Sequence, residues 1–255
     1  MTETQAIATD STGSDAAAAV SAVALTRTYG EGDAAVEALR GVDISFPRGQ
    51  FAAVMGPSGS GKSTLMHLLA GLDKPTSGTV QIDGREITTM GDAELTRLRR
   101  DRIGFVFQFF NLLPMLSAEQ NVELPLKLAG RSAEDGWVPR LLESVGLGDR
   151  RRHKPSELSG GQQQRVAVAR ALVNKPAVVF ADEPTGNLDS KTSAEILDLM
   201  RQSTAEFGQT IVIVTHDARA ASIADRVVFL SDGLVVADRG AMRSDEILDQ
   251  IKSLE

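Results

Sequence analysis

One stretch of the chain restricts the possible fold more than any other. Residues Gly56–Ser63 read G-P-S-G-S-G-K-S, which matches the phosphate-binding pattern G-x-x-x-x-G-K-[ST]. The apolar run Phe51–Met55 precedes this loop as a buried strand would, and Lys62–Ala70 follows it with the leucine spacing of a helix. This strand–loop–helix order predicts an α/β fold that binds a nucleotide.

The residue types in the loop fit the chemistry of a bound triphosphate. Glycines let backbone N–H groups converge on phosphate oxygens at the start of a helix. The Lys62 ammonium would neutralise the β- and γ-phosphates, and the Ser63 hydroxyl would ligate magnesium. The alternative is a glycine-rich turn with a surface lysine, and the flanking strand and helix argue against it. The predicted nucleotide contacts in this segment are Gly56, Pro57, Ser58, Gly59, Ser60, Gly61, Lys62, Ser63 and Thr64.

A pair of acids follows a second apolar strand. Asp182 and Glu183 come directly after Ala177–Ala181, at the carboxyl end of a strand, where open α/β sheets bind ligands. Asp182 suits direct or indirect support of magnesium, and Glu183 suits a general base for the attacking water. A helix N-cap is the alternative, but Pro184 follows and the next helix begins only near Ser190. The pair therefore predicts hydrolysis.

A second glycine-rich turn lies about a hundred residues after the first. Ser159 and Gln162 have the spacing of a capping box, so this turn opens a helix whether or not it contacts a ligand. Gly160 and Gly161 weaken the first turn of that helix by roughly 1 kcal/mol each relative to alanine. We interpret them as allowing close backbone approach to an anion. Two such helix ends cannot fill the same position around one phosphate group, which indicates a shared site.

The order of elements favours an α/β fold with two attached parts. Residues before Asp92 are rich in short strands, and from Gly160 onward helices and strands alternate, as in parallel sheets with crossover helices. We therefore predict a P-loop ATPase core with a mixed, mostly parallel sheet, an N-terminal antiparallel β subdomain and an inserted α-helical subdomain at about 109–160.

The predicted strands are Ala22–Thr28, Val36–Phe46, Phe51–Met55, Thr79–Ile82, Glu86–Thr88, Ile103–Gln108, Ala177–Ala181, Thr210–Val214, Arg226–Leu230 and Leu234–Asp238. The predicted helices are Lys62–Ala70, Asp92–Arg100 with Asp92 as its cap, a helix opened by the capping box Ser117–Gln120 and bent at Pro125, Val138–Val145, Gln162–Asn174, Ser190–Phe207 and Ser244–Ile251. We assign residues 1–20 to a disordered tail, 21–240 to the ATPase domain and 241–255 to a short C-terminal helix, with no regulatory domain after it.

Composition excludes several classes of protein. The net charge of −7 gives no overall basic field for nucleic acid, and we interpret the cluster Arg97–Arg102 as a solvated face. The chain has no cysteine, so it has no disulfide framework. No apolar stretch approaches the ~20 residues that span a bilayer, and the first residues lack a basic signal-peptide start. A role at a membrane would require a partner.

The motifs together resemble those of the ATP-binding subunits of ABC transporters, over about Val23 to Gly240. The resemblance rests on the phosphate loop, the signature Leu158–Gln162, the strand that ends at Asp182-Glu183, and Val214–Asp217. Finer wording, in Gln108–Pro114 and Glu183–Asp189, is similar to the lipoprotein-release, macrolide-export and cell-division branch.

The resemblance implies further roles at matching positions. Tyr29 matches the aromatic residue that stacks on adenine, although a tyrosine at a strand end is by itself more typical of packing. Gln108 matches the glutamine that contacts magnesium or the attacking water. Asp189 matches an aspartate near the nucleotide, and it is also a good N-cap for the following helix. His216 matches the histidine that holds the γ-phosphate; alone, it would be read as structural.

The family also implies a mode of action. Two ATP molecules, with Mg²⁺, would lie in a head-to-tail homodimer, each between one subunit's phosphate loop and the other's signature turn. Hydrolysis would open the dimer and power separate integral membrane permease subunits at the cytoplasmic face of the membrane, in export or extrusion. A cell-division-type ATPase that regulates its membrane partner without transport remains open. ABC ATPases that act on DNA or on ribosomes fit less well, because the chain shows no long insertion, one ATPase unit and an acidic balance.

Two segments leave alternatives. The apolar run Phe109–Leu113, which ends at Pro114, is either core of the helical subdomain or an exposed patch that docks a permease loop. Gly136–Pro139 interrupts a region that is smoothly helical in the family, so its local geometry is open.

Overall fold

The computed structural model describes residues 18–254. The strands are β1 Ala18–Tyr29, β2 Val36–Pro47, β3 Phe51–Met55, β4 Ser77–Ile82, β5 Arg85–Glu86, β6 Ile103–Phe107, β7 Val178–Asp182, β8 Ile211–Val214, β9 Arg226–Ser231 and β10 Leu234–Gly240. The helices are α1 Lys62–Leu69, α2 Asp92–Arg102, α3 Ala118–Leu128, α4 Trp137–Ser144, α5 Gly160–Leu172, α6 Ser190–Phe207, α7 Ala218–Ala221 and α8 Ser244–Lys252.

These strands form two sheets. The six-stranded sheet has the order β10-β9-β3-β8-β7-β6, with only the β9–β10 pair antiparallel. The four-stranded sheet has the order β2-β1-β4-β5 and is antiparallel throughout. The predicted fold class, a mixed and mostly parallel core sheet with an antiparallel β subdomain, is confirmed.

The six-stranded sheet lies between two hydrophobic clusters. Alternate residues of β3 point to opposite faces: Phe51, Ala53 and Met55 join the cluster formed with α3–α8, and Ala52 and Val54 join the cluster formed with α1, α2 and the four-stranded sheet. Burial on both faces explains why β3, β7 and β8 are continuous apolar runs.

The central parallel strands end together. Val54 of β3 and Asp182 of β7 both pair with Val214 of β8, so the three strands finish level with one another. The phosphate loop, the acidic pair and His216 follow directly from these ends. The fold therefore brings the predicted chemistry to one edge of the sheet.

Helices α3 and α4 lie in the predicted inserted segment. The capping box at Ser117 and Gln120 is present: Gln120 N donates to Ser117 Oγ at 3.3 Å, and Ser117 N donates to Gln120 Oε1 at 2.9 Å. Gly136 begins α4 with a left-handed φ of 74°, and Pro139 fits because it lies in the first turn. Trp137 then anchors α4, since its Nε1 donates to Val173 O at 2.9 Å.

Several predicted bounds are wrong. β1 begins at Ala18, so residues 18–20 belong to the sheet; the remainder of the predicted tail lies outside the described residues. The strand expected at Glu86–Thr88 is only Arg85–Glu86. Asp92 is the first helical residue of α2, and Gly91, not Asp92, is the N-cap. The Gly91 N–H donates to Glu94 Oε2 at 3.3 Å. The short helix α7 was not predicted.

Among residues 18–254, no helix is both long enough and apolar enough to cross a membrane.

Candidate functional site

The loop Gly56–Ser63 is built around glycines that no other residue could replace without strain. Gly56 and Gly61 have φ values of 151° and 100°. A Cβ at Gly56 would lie 1.9 Å from Leu230 O, and one at Gly61 would lie 2.4 Å from Ala38 O. The loop is therefore pressed against β9 on one side and β2 on the other, and its glycines are required by both conformation and space.

Lys62 folds back over the loop. Its Nζ donates to Gly56 O at 2.9 Å and to Pro57 O at 2.7 Å. Burial lowers the pKa of the Lys62 ammonium, while the negative charges of Glu183 and then Asp182 act in the opposite direction. Lys62 Nζ also donates to Ser60 Oγ at 3.5 Å. A flexible cation held by neutral oxygens can exchange them for phosphate oxygens.

A cleft of about 600 Å³ opens beside this loop. It is lined by Ala38, Gly56, Ser58, Gly59, Gly61, Lys62, Ser63, Thr64, Asp182, Glu183, Val214 and His216. Seven of the nine nucleotide contacts predicted in Gly56–Thr64 line this cleft, and Pro57 and Ser60 do not. Ser60 is buried beneath the loop.

The two acids, Asp182 and Glu183, lie in different local environments. Burial, and then the charge of Glu183, raise the pKa of Asp182. Glu183 has a left-handed φ of 45°, an uncommon conformation for a residue with a side chain, and its N–H donates to Val214 O at 2.9 Å. This strained backbone places the Glu183 carboxylate across the end of β8.

The Glu183 carboxylate is held by the segment that follows β8. Thr215 Oγ1 donates to Oε2 at 3.1 Å, His216 N donates to Oε1 at 3.0 Å, and His216 Nδ1 lies 2.7 Å from Oε1. Glu183 and His216 are therefore in direct contact. Thr215 was not singled out from the sequence, although its position beside His216 was a usable signal.

The Gln108 side chain is hydrogen-bonded to Asn187. Its Nε2 donates to Asn187 Oδ1 at 3.1 Å, and Asn187 Nδ2 donates back to Gln108 O at 3.1 Å. Gln108 lines a neighbouring cavity with Glu183 and His216, and is not part of the cleft beside Lys62. Asn187 was missed in the sequence because its role depends on a contact between two loops that are far apart in the chain.

Oxygen ligands for magnesium are present in the cleft. The Ser63 hydroxyl and the Asp182 carboxylate both line it, and such groups are the ligands that Mg²⁺ prefers. Over residues 18–254, no three or more His, Cys, Asp or Glu side chains cluster as a metal site by themselves.

The second glycine turn is separate from this cleft within one chain. Ser159 caps α5: Gln162 N donates to its Oγ at 3.3 Å, and Ser159 N donates to Gln162 Oε1 at 3.0 Å. A Cβ at Gly161 would lie 2.4 Å from Cγ2 of Thr192 on α6. Packing against α6 is thus one reason for this glycine, in addition to the anion approach inferred from the sequence.

A family model described as ABC transporter matches residues 39–186, more than half of the chain. The chain belongs to the ABC transporter family. The expected ATP-binding, ATP-hydrolysing subunit and its fold are thereby confirmed.

Individual relatives agree with this assignment to the ABC family. A lipoprotein-releasing system ATP-binding protein, LolD, from Geobacter metallireducens is 50% identical over 216 residues, covering 84% of this chain and 96% of that protein. A macrolide export ATP-binding/permease protein, MacB, from Marinobacter nauticus is 49% identical over 219 residues, 85% of this chain. The chain spans only about a third (34%) of that MacB. The resemblance to the lipoprotein-release and macrolide-export branch is confirmed.

A solved structure has the same fold. The dimeric post-hydrolysis state of the ATP-binding cassette MJ0796 of Methanocaldococcus jannaschii, bound to ADP and Pi, superimposes with a TM-score of 0.77 at 45% identity. The match covers 88% of this chain and 99% of that one.

Asp189 and Tyr29 are two further positions that the family resemblance predicted. Asp189 is described first. Asp189 caps α6 as expected: its Oδ1 accepts from Lys191 N and Thr192 N at 3.0 Å, and its Oδ2 accepts from Thr192 Oγ1 at 2.6 Å. The bond from Thr192 is the main reason why the pKa of Asp189 is lowered.

Tyr29 lies outside the cleft lining. Its hydroxyl donates to Asp73 Oδ2 at 2.9 Å, and the Arg27 guanidinium lies 4.4 Å from the ring centroid. Arg27 also pairs with Asp73 at 3.0 Å. No local sequence pattern predicts these partners, because Asp73 is far from β1 in the chain.

Proposed function

We propose that the cleft beside Lys62 binds Mg·ATP and that Glu183 acts as the base for hydrolysis. Lys62 would contact the β- and γ-phosphates, and His216 the γ-phosphate. Ser63 and Asp182 would hold magnesium, with Gln108 joining after it leaves Asn187. Magnesium would neutralise phosphate charge. Tyr29 would stack on the adenine.

One observation supports this proposal most strongly. Glu183 contacts His216 directly, and both line the same cleft as the phosphate loop. A carboxylate oriented by two hydrogen-bond donors beside a phosphate-binding loop is suited to activating water. The Gln108 side chain lines the adjoining cavity, within reach of this region.

The variant Glu183→Gln tests the assignment. We expect ATP turnover to fall by about 10²–10⁴-fold, because a general base contributes on this order, while ATP binding persists. The control is Glu143→Gln, the same change at an exposed position of α4. Steady-state phosphate release and nucleotide titration measure the two quantities. Turnover near that of the wild type would contradict the role of Glu183.

We further propose that two copies bind ATP head to tail. The α5 end, with Ser159, Gly160, Gly161 and Gln162, lies outside the chain's own cleft, so it would contact the nucleotide of the second copy. The dimeric MJ0796 structure supports this arrangement. Glu183→Gln with ATP should run as a dimer in sizing chromatography, and as a monomer without ATP. A monomer in both conditions would exclude an ATP-dependent dimer.

The segment after Gln108 supplies a surface for a permease. Phe109, Leu113, Met115 and Leu128 are 70%, 42%, 74% and 68% exposed. Phe110 and Leu112 are instead half-buried, so both interpretations of this run apply, each to different residues. Large apolar side chains that are exposed to solvent are candidates for a partner interface. We propose that they dock integral membrane permease subunits at the cytoplasmic face of the membrane.

Docking predicts a separation of two activities. Phe109→Asp with Met115→Asp should leave basal hydrolysis unchanged and abolish its stimulation by the permease subunits in proteoliposomes. Val236→Asp, an exposed change on β10, is the control. Stimulation that survives the double change would exclude this surface. The names of the LolD and MacB relatives favour export or extrusion; regulation of a membrane partner without transport is the second candidate.

A further inference from the structure

A buried glutamine lies inside the helix that begins at the signature turn. Gln164 is in the second turn of α5 and its side chain is 0% exposed. Its Nε2 donates to Phe107 O at 3.3 Å and also to Pro184 O. Within the described part of the chain its Oε1 is buried without a partner. Burial of an amide group lowers the stability of the folded protein unless hydrogen bonds replace those it made with water.

The two carbonyls that it bonds have special positions. Phe107 immediately precedes Gln108, and Pro184 immediately follows Glu183. They leave the sheet side by side, because Phe107 of β6 pairs with Asp182 of β7. One amide nitrogen therefore joins the backbones next to both residues.

Helix α5 also contacts the backbone that follows Gln108. Arg170, two turns further along α5, donates to Phe110 O at 2.8 Å and to Asn111 O at 2.6 Å. Gln108 thus lies between two backbone anchor points that α5 provides. A displacement of α5 would be transmitted to the Gln108 loop from both sides.

We propose that Gln164 is a positioning residue, which sets the Gln108 loop relative to Glu183 and links both to the Ser159 end of α5. This rests on the proposed function, in which the Ser159 end contacts the nucleotide of a second copy. Occupancy of one site is then sensed by the hydrolytic residues of the other.

The test compares two adjacent glutamines. Gln164→Met keeps the side chain's length but has no N–H donor, so both loops lose their common anchor. We expect kcat to fall by about 10- to 100-fold, the size of effect that small misplacements of reacting groups produce. The Kd for ATP depends on the phosphate loop and should change little. The control Gln163→Met removes a bond that stays at the start of α5, to Leu158 O at 3.1 Å, and should leave kcat unchanged.

A second variant keeps the test decisive if the methionine disturbs packing. In Gln164→Glu a protonated carboxyl donates one hydrogen bond, and an ionised one donates none. Burial raises the pKa of such a carboxyl, so kcat should fall as pH rises through that pKa. Gln163→Glu should show no such step. Thermal unfolding and ATP titration at each pH separate positioning from loss of structure.

Two results would overturn the inference. One is a kcat for Gln164→Met within about twofold of an active wild type. The other is a loss of ATP affinity and thermal stability that parallels the loss of kcat, which would indicate a structural role. Failure of the proposed function is distinguishable, since it would show as an inactive wild type or an active Glu183→Gln, whatever Gln164 does.

Discussion

At the start of α1 the chain passes through Gly61 in a left-handed conformation with no side-chain cap, whereas α5 starts from Ser159 in an extended conformation with a complete capping box. The first helix end leaves backbone N–H groups without side-chain acceptors and has Lys62 folded over it. The second already satisfies the Gln162 N–H through Ser159.

The difference indicates what each glycine-rich turn can do alone. The α1 end combines glycine geometry, a cation and two carboxylates in one cleft, so a single chain can bind a triphosphate there. The α5 end has a hydroxyl and a packed glycine, and its residues do not line the cleft beside Lys62. In the proposed head-to-tail dimer it would complete an anion site whose other part belongs to the second copy.

The largest expected effect is at the α1 end. Lys62→Ala should weaken ATP binding by at least ~100-fold, because charge-assisted bonds of this kind contribute about 1.5–3 kcal/mol and several phosphate oxygens share the ammonium. Titration with a fluorescent nucleotide measures it, with Lys74→Ala as the exposed control. Equal affinities would mean that the two helix ends do not differ as described.

Gly161→Ala addresses the α5 end. We expect hydrolysis to fall by about tenfold while the monomer's ATP affinity stays the same, since the new Cβ meets Thr192. Adding Thr192→Ser removes the clashing methyl group but keeps the hydroxyl that bonds Asp189. Recovery of ATPase activity would assign the glycine to packing against α6. If activity does not recover, Gly161 is required for close approach of the backbone to the nucleotide. The helix ends of α1 and α5 would then be more similar than described.

Ser159→Ala removes the side-chain cap of α5 together with the hydroxyl proposed to contact the second copy's nucleotide. Loss of the cap should cost about 1 kcal/mol, or roughly 2–4 °C in unfolding temperature for a domain of this size. Ser117→Ala, at the equivalent capping box of α3, should cost the same. A further loss of ATP-dependent dimerisation in Ser159→Ala alone would show that this hydroxyl also contacts the second copy's nucleotide.

The smallest expected effect is a change in the pH dependence of stability. Because the pKa of Asp182 is raised in the folded protein, the folded state binds more protons there than the unfolded state above pH 3.8. Stability should therefore fall as pH rises from that value through the folded pKa, and not in Asp182→Asn. Without nucleotide, the wild type and Asp182→Asn should unfold at the same temperature at low pH. At neutral pH the variant should unfold at the higher temperature. Parallel curves would exclude this linkage.

Much of this structure follows from local sequence signals. The phosphate loop, the apolar strands on either side of it and the capping residues Ser159 and Asp189 each depend on neighbours in the chain, so their prediction succeeded. Contacts such as Gln108–Asn187 and Gly161–Thr192 join segments that are distant in sequence, and no local pattern encodes them.

The solvent exposure of individual side chains was the second feature that the sequence pattern did not predict. The run Phe109–Leu113 is uniformly apolar, and only the fold separates Phe109, which faces solvent, from Phe110, which lies near Gly160. Met115 follows Pro114 and was overlooked for the same reason. The start of β1 was misplaced because its first residues are alanines, which have low strand propensity.

The central strand β3 has a mechanical consequence. It contributes side chains to both hydrophobic clusters and then continues directly into the phosphate loop. Loss of packing on either face of the sheet would therefore displace the backbone that carries the phosphate loop.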